Sequence, residues 1–332
     1  MTSSERLGNL IRGKPIDRLP VIEWAPWWNL TAERWVREGV PQEKTGYYEL
    51  HKYFGLDPCM QTHLWFKSAA LPPPPHHGAG IIRDRDDYKA IKKYLYIQPG
   101  HNITDEYIKW LENSRKNDDA VHFFTVEGFF WYPRTLFGIE PHMYSFFDYP
   151  ELLKEICEDY SEWLIRAFQY AAETFRFDFM SFAEDMSYNN GPMLSKACFD
   201  EFLAPYYKRV IPELKKIGVP VFIDSDGDIT MAVDWYAETG ADGMFPLERQ
   251  AGVDVGIYIK KQPQMTFLGH FDKMCMKFGE KAMRAEFERI LPSAKAGKVI
   301  ISVDHQTPPD VSLENYKTYV RLFKEYAATV KK

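Results

Sequence analysis

The sequence is poor in cysteine and in basic clusters. Its four cysteines, Cys59, Cys157, Cys198 and Cys275, are far apart and form no C-x-x-C pair. That spacing offers no disulfide framework and fits reduced, mostly buried thiols in a cytoplasmic protein. No Lys/Arg block is longer than Lys331-Lys332, and the formal net charge is −6. A nucleic-acid partner would call for a basic face that is missing here, and a strongly anionic substrate would need a local arginine cluster. No window approaches 18 consecutive apolar residues, so no membrane span is expected. Met1-Thr2-Ser3-Ser4-Glu5-Arg6 lacks the apolar core of a secretory signal. No G-x-G-x-x-G follows the first apolar run, which weakens a dinucleotide-binding reading. No internal repeat is visible.

Aromatic residues, by contrast, are abundant at 16% of 332 residues. They predict a thick core or an aromatic-lined pocket. A chain of this length buries enough surface to fold without disulfide or metal staples. The one low-complexity stretch, Pro72-Pro73-Pro74-Pro75-His76-His77-Gly78, reads as a stiff connector. Its His pair has no third ligand nearby.

The organising feature is alternation. Short apolar runs recur at Leu19–Trp24, Met60–Phe66, Val121–Glu127, Phe177–Asp185, Val219–Asp226, Gly243–Glu248, Met265–Asp272 and Val299–His305. Most are continuous rather than alternating, as expected of strands buried on both faces. Helical patterns lie between them. Asp148 with Glu151 offers a capping box, followed at helical spacing by Leu152, Leu153, Ile156, Tyr160, Trp163, Leu164 and Phe168. Ile229–Thr239 is stopped by Gly240, and Ser312 can cap a last helix. Residues 199–217 read as helix split or kinked by Pro205 and Pro212. About eight strand–helix units predict a (β/α)8 TIM barrel. We expect a single barrel domain over 1–332, with 67–118 inserted as a loop and helical segment.

In such a barrel the chemistry gathers at the C-terminal ends of the strands. Those ends carry Glu23, Glu127, Glu184, Asp185, Asp224, Asp226, Glu248, His270, Asp272, Asp304 and His305. Loops are polar wherever they begin, so no one of these residues is diagnostic alone. So many acids around one rim would repel unless a cation sat between them. Asp224-Ser225-Asp226 is the sharpest local signal: carboxylates at i and i+2 of a strand point to one side. They can share a divalent metal or split their pKa values for acid–base work; a turn capped by an Asx side chain is the plainer alternative. His305 can ligate a metal, or Asp304 can orient its ring. Of the consecutive Glu184 and Asp185, at most one faces the axis, leaving the other to bond backbone. Trp24, Trp28, Trp131 and Tyr132 follow strand ends and could stack on a planar ligand, or simply pack in the core.

These residues resemble the uroporphyrinogen decarboxylase superfamily, which includes cobamide-dependent methyltransferases. Arg12-Gly13 with Asp17-Arg18-Leu19-Pro20-Val21 is similar to the superfamily's R-G-x-x-x-D-R-x-P-V. Gly191-Pro192-Met193-Leu194-Ser195 with Phe199, Phe202 and Pro205-Tyr206 resembles its central segment. Gly269-His270-Phe271-Asp272 resembles its G-x-x-D, and Pro309-Asp310-Val311-Ser312-Leu313-Glu314-Asn315 its P-x-T-P-x-E-N. The likeness covers nearly the whole chain and implies a (β/α)8 barrel, often a homodimer.

The branches differ at the site. By the resemblance, methyltransferases hold zinc with H-x-C and a later Cys. Here Asp224 and Asp226 fall in the H and C slots and His305 in the last Cys slot, a harder and less zinc-selective set. The decarboxylase branch carries arginines near its first strand, whereas here Pro20–Trp28 contains none; His305 does agree with a decarboxylase His. The resemblance therefore implies, first, methyl transfer between a small substrate and a cobamide or folate carrier. A divalent metal (zinc or similar) would sit at Asp224, Asp226 and His305, with Glu184, Glu248, His270 and His305 as catalytic candidates. Trp24, Trp28, Trp131 and Tyr132 would face a cobamide carried by a partner corrinoid protein. Tetrapyrrole decarboxylation is the second expectation, and a non-catalytic barrel subunit the third.

Overall fold

Seven of the apolar runs join into one curled, wholly parallel sheet. In a computed structural model describing residues 1–332 the strands are β1 (Cys59–His63), β2 (Val121–Glu127), β3 (Phe179–Ala183), the short β4 (Ser187–Tyr188) and β5 (Gly191–Pro192), then β6 (Val221–Asp224), β7 (Gly243–Phe245), β8 (Thr266–Phe271) and β9 (Lys298–Val303). The sheet order is β1-β2-β3-β6-β7-β8-β9, and β4 and β5 form a separate antiparallel ribbon. Every pairing in the large sheet is parallel. All six residues of β8, and the first six of β2, are buried. This is the continuous burial that helices on one face and a packed interior on the other impose. The result is a TIM-barrel-like fold.

The run Leu19–Trp24, read as the first strand, forms no ladder. It spans the opening between β1 and β9 by other means. Val21 O accepts from Asp57 N (2.9 Å), while Val21 N donates to the Asp57 carboxylate (2.8 Å), which Arg18 clamps from the other side (2.6 Å). The Trp24 indole N–H donates to Val303 O (2.8 Å). Side chains thus occupy the place of the eighth strand's backbone bonds.

The helical readings hold with small corrections. The helix Pro150–Thr174 buries the expected stripe from Leu152 to Phe168, and each large apolar side chain so buried contributes about 1.5–3 kcal/mol. Asp148 does not cap it; Asp148 ends the preceding helix, Ile139–Asp148, and the turn begins with Pro150 in the first helical position, where a missing N–H costs nothing. The 199–217 pattern is two helices, Lys196–Phe202 and Ala204–Lys216. The break falls just before Pro205, while Pro212 stays inside the second helix. Ser312 caps Leu313–Ala328 by accepting from Asn315 N (3.2 Å), and Gly240, at φ 95°, ends Ala232–Thr239. Between β1 and β2 lie the helices Arg85–Ile91 and Asp105–Asp118. No helix is long and apolar enough to cross a membrane.

Candidate metal centre

Three strand ends converge at the C-terminal mouth. Past β6 the chain continues as Ser225-Asp226-Gly227, past β7 as Pro246-Leu247-Glu248, and past β9 as Asp304-His305. One ligand atom each from Asp226, Glu248 and His305 lies within 4.8 Å of the others. His305 Nε2 is 3.6 Å from Asp226 Oδ2, and the two side chains are 33% and 36% exposed, so the cluster opens to solvent. Backbone bonds fix it: Gly227 N donates to Glu248 Oε2 (3.0 Å), and Asp226 N to Asp185 Oδ1 (3.3 Å). Gly227 sits at φ +78°, and a Cβ there would come within 2.7 Å of the Tyr188 backbone, so the turn requires glycine.

The electrostatics are those of a nest of mutually repelling acids. Burial, then repulsion from Asp185 and Glu248, pushes the Asp226 carboxyl up to about 8, with Lys273 pulling the other way. Asp224 is raised well above the usual carboxylate range by burial and by Asp185, Asp226 and Glu248. Burial raises Asp185 too. Burial, followed by Lys273, lowers His305, which favours the neutral, ligating imidazole. Two carboxylate oxygens and a neutral ring nitrogen form a donor set suited to a divalent cation, whose charge would relieve the mutual repulsion. The residues present fit such a group.

The predicted site residues are placed as follows. Asp226 and His305 meet, with Glu248 as the third member; the Asp224 carboxylate lies outside this set. Glu184 is fully buried: Oε1 accepts from the Tyr207 hydroxyl (2.6 Å) and the Tyr236 hydroxyl (3.3 Å), and Oε2 from Phe130 N (3.0 Å) and Trp131 N (3.3 Å). Burial raises it to about 8 against the pull of those donors. His270 is buried at φ 74°, with Nε2 accepting from Arg289 Nη1 (2.9 Å) and Nδ1 3.3 Å from Leu247 O, next to Glu248. Burial and Arg289 lower its pKa to about 4. His270 therefore braces the turn that carries Glu248. Trp24 is buried, its ring 4.9 Å from Phe245 and 6.1 Å from His305. Trp28 is 46% exposed. The Arg134 guanidinium covers a face of Trp131 at 4.7 Å. Tyr132 is buried and donates to the Tyr96 hydroxyl (2.8 Å).

Asp304 does not orient the His305 ring. Its Oδ2 accepts from Arg249 N (2.9 Å) and its Oδ1 from Lys273 N and Nζ (3.3 and 3.2 Å). Lys273, the cation nearest in effect to Asp226 and His305, escaped the sequence reading; its place just after Gly269-His270-Phe271-Asp272 was the available signal. Gly128 escaped too: a Cβ there would meet Glu184 Oε2 at 1.8 Å.

Residues 137–326, more than half of the chain and including Asp185, Asp226, Glu248 and His305, match the uroporphyrinogen decarboxylase (URO-D) family model. The chain belongs to the uroporphyrinogen decarboxylase family. Among solved structures this URO-D chain is similar to a methyltransferase from Methanosarcina mazei, at 16% identity and a TM-score of 0.69 over 98% of this chain and 99% of that one. At that identity the likeness concerns the fold. A Listeria monocytogenes protein assigned as a vitamin-B12 independent methionine synthase matches at 12% identity and a TM-score of 0.47, over 94% of this chain and 96% of that one. No curated protein matches in sequence.

Proposed function

We propose that this URO-D superfamily chain is a metal-dependent methyltransferase, moving a methyl group between a small substrate and a cobamide or folate carrier, the cobamide on a partner corrinoid protein. Asp226, Glu248 and His305 would hold a divalent cation, with Asp224 behind them in place of the ligand role expected for it. The supporting observation is the convergence of those three ligand atoms within 4.8 Å in a nest whose acids repel one another. A divalent cation bound there supplies Lewis acidity, lowering the pKa of a substrate heteroatom so that it reacts as the anion.

The chain's own residues do the rest. Glu248 is anchored through Oε2 by the Gly227 N–H, which fixes the carboxylate before any ligand arrives. Asp226 is held through its backbone by Asp185, leaving its side chain free for the cluster. Trp24 packs beside His305 and restricts the ring to the mouth. Lys273 pairs with Asp304 (3.2 Å), so its ammonium is already engaged beside the cluster.

Metal analysis of the purified protein should find about one divalent ion per chain, falling to background in Asp226→Ala and His305→Ala. Absence of metal from the wild type after incubation with zinc, manganese or cobalt salts would overturn the reading. So would decarboxylation of an octacarboxylate porphyrinogen by the chelator-treated protein.

A further inference from the structure

Among the arginines that are not surface-exposed, Arg134 alone has no acceptor for its guanidinium. Arg6, Arg18, Arg34, Arg115, Arg209, Arg284 and Arg289 all pair with carboxylates, and Arg249 donates to Val253 O. Arg134 instead lies over Trp131, 4.7 Å from the ring centroid, and none of its donors reaches a carboxylate. Holding a partly desolvated guanidinium without a partner costs free energy, so such a group marks a place where a ligand's acceptor belongs.

The surroundings are built and fixed. Glu184 bonds the N–H groups of Phe130 and Trp131 and so anchors the start of the helix Trp131–Phe137 that carries Arg134. The polyproline loop is pinned to the far end of that helix: Ile139 N donates to Gly78 O (2.9 Å) and Ile81 N to Leu136 O (2.7 Å). The fit is tight, since a Cβ on Gly138 (φ +90°) would come within 2.5 Å of Gly80 N. Between loop and helix lies a cavity of about 280 Å³, lined by His77, Gly78, Trp131, Arg134, Thr135 and Gly138 among others. On its other side Arg134 is near enough to Asp185 for its charge to favour the ionised carboxylate there, and Asp185 holds Asp226. Arg134 thus stands between the cavity and the acidic cluster.

We propose that Arg134, backed by Trp131, binds the anionic group of the substrate, and that the molecule processed is a small molecule with one anionic head group and its reacting atom at the Asp226–Glu248–His305 cluster. A carboxylate or a phosphoryl group offers the paired oxygens that a guanidinium fork accepts. Arg134 is the group free to take it, because the other nearby cations are already engaged. Lys67 bonds both Glu127 oxygens (2.8 Å) and Lys273 bonds Asp304. The inference rests on the metal-centre reading only for the position of the reacting end. The anion site itself is tested on protein stripped of metal, so the two can fail separately.

The probes are acetate, methylphosphonate and, as a neutral control, acetamide, titrated into chelator-treated protein and followed by ligand-observed NMR. One of the two anions should bind saturably and acetamide should not. Whichever anion binds tighter assigns the head group as carboxylate or phosphoryl. Arg134→Gln should weaken that binding about tenfold or more, as loss of a charge-assisted pair implies. Arg134→Lys, which keeps the charge without the fork, should weaken it less, and Asp226→Asn should leave it intact. Circular dichroism and melting of each variant exclude unfolding as the cause; were Arg134→Gln unfolded, the Arg134→Lys loss would carry the test. Equal anion binding by wild type and Arg134→Gln, or equal binding of acetamide, would overturn the proposal.

Discussion

Two sets of buried acids in this barrel have raised pKa values for different reasons. Glu23 and Glu184 sit where donors surround them. Glu23 accepts from the Tyr319 hydroxyl, Ser302 Oγ (3.0 Å) and Val303 N (3.3 Å), and burial brings it to about 7 against those bonds. Glu184 has its four donors and stands at about 8. Asp224, Asp226 and Asp185 are raised by burial too, but Asp224 is pushed further by Asp185, Asp226 and Glu248, and Asp226 by Asp185 and Glu248. The first set joins layers of the fold through satisfied hydrogen bonds. The second faces a solvent-open mouth with its charges turned against each other. Burial alone therefore does not separate the two sets; the identity of their neighbours does.

Two substitutions test that division. The largest effect is expected from Glu184→Ala, which strands two tyrosine hydroxyls and two backbone N–H groups and opens a void. It should cost about 3–5 kcal/mol in denaturant unfolding. Asp226→Asn, measured on metal-free protein, should leave stability unchanged or raise it, because it removes repulsion. Equal losses in the two variants would erase the distinction.

Next comes pH. Glu23 and Glu184 bind protons more tightly folded than unfolded, so their stabilising effect is complete below about 4.5 and is lost as pH rises through about 7 and about 8 respectively. Unfolding free energy should fall across that window by at most about 1.4 kcal/mol per pH unit for each group. Glu23→Gln and Glu184→Gln should each flatten the profile, and an unchanged profile in both would show that the folded carboxylates titrate normally. The smallest effect is expected from Asp185→Asn, which keeps an acceptor for Asp226 N but removes a charge. Cation affinity should drop about tenfold, the lower end for a residue behind the ligands; calorimetry of metal binding measures it.

The barrel was legible because its strands are continuous apolar runs, and seven of the eight runs became strands of the parallel sheet. The run at Leu19–Trp24 misled because its β-like composition is real, but Asp57 and Arg18 supply the bonds a ladder would have made. At the mouth, strand-end residues gave the right neighbourhood but not the directions of the side chains. Alternation holds only while φ stays negative, and besides the glycines three residues there break it: Asp185 at 43°, Leu247 at 65° and His270 at 74°. Those reversals bring Glu248 into the cluster beside Asp226, turn Asp185 toward it and His270 away into the Arg289 pair. Arg134 was invisible for a simpler reason: it lies on a helix after β2, not at a strand end, and only the fold shows that its guanidinium has no hydrogen-bond acceptor.

The seam stitched by Arg18, Asp57, Glu23 and Trp24 bears on how the molecule is assembled. Leu19 N finds its acceptor at Ala327 O, and Trp24 at Val303 O, so this stretch waits for a segment 279 residues further along the chain. Until then the strip around Trp24 and its neighbours has no wall to lie against, and closing so long a loop is the slow, entropically costly kind of contact. The barrel rim is therefore completed late, and a nascent chain halted before residue 303 would expose a greasy, unpaired margin to its surroundings.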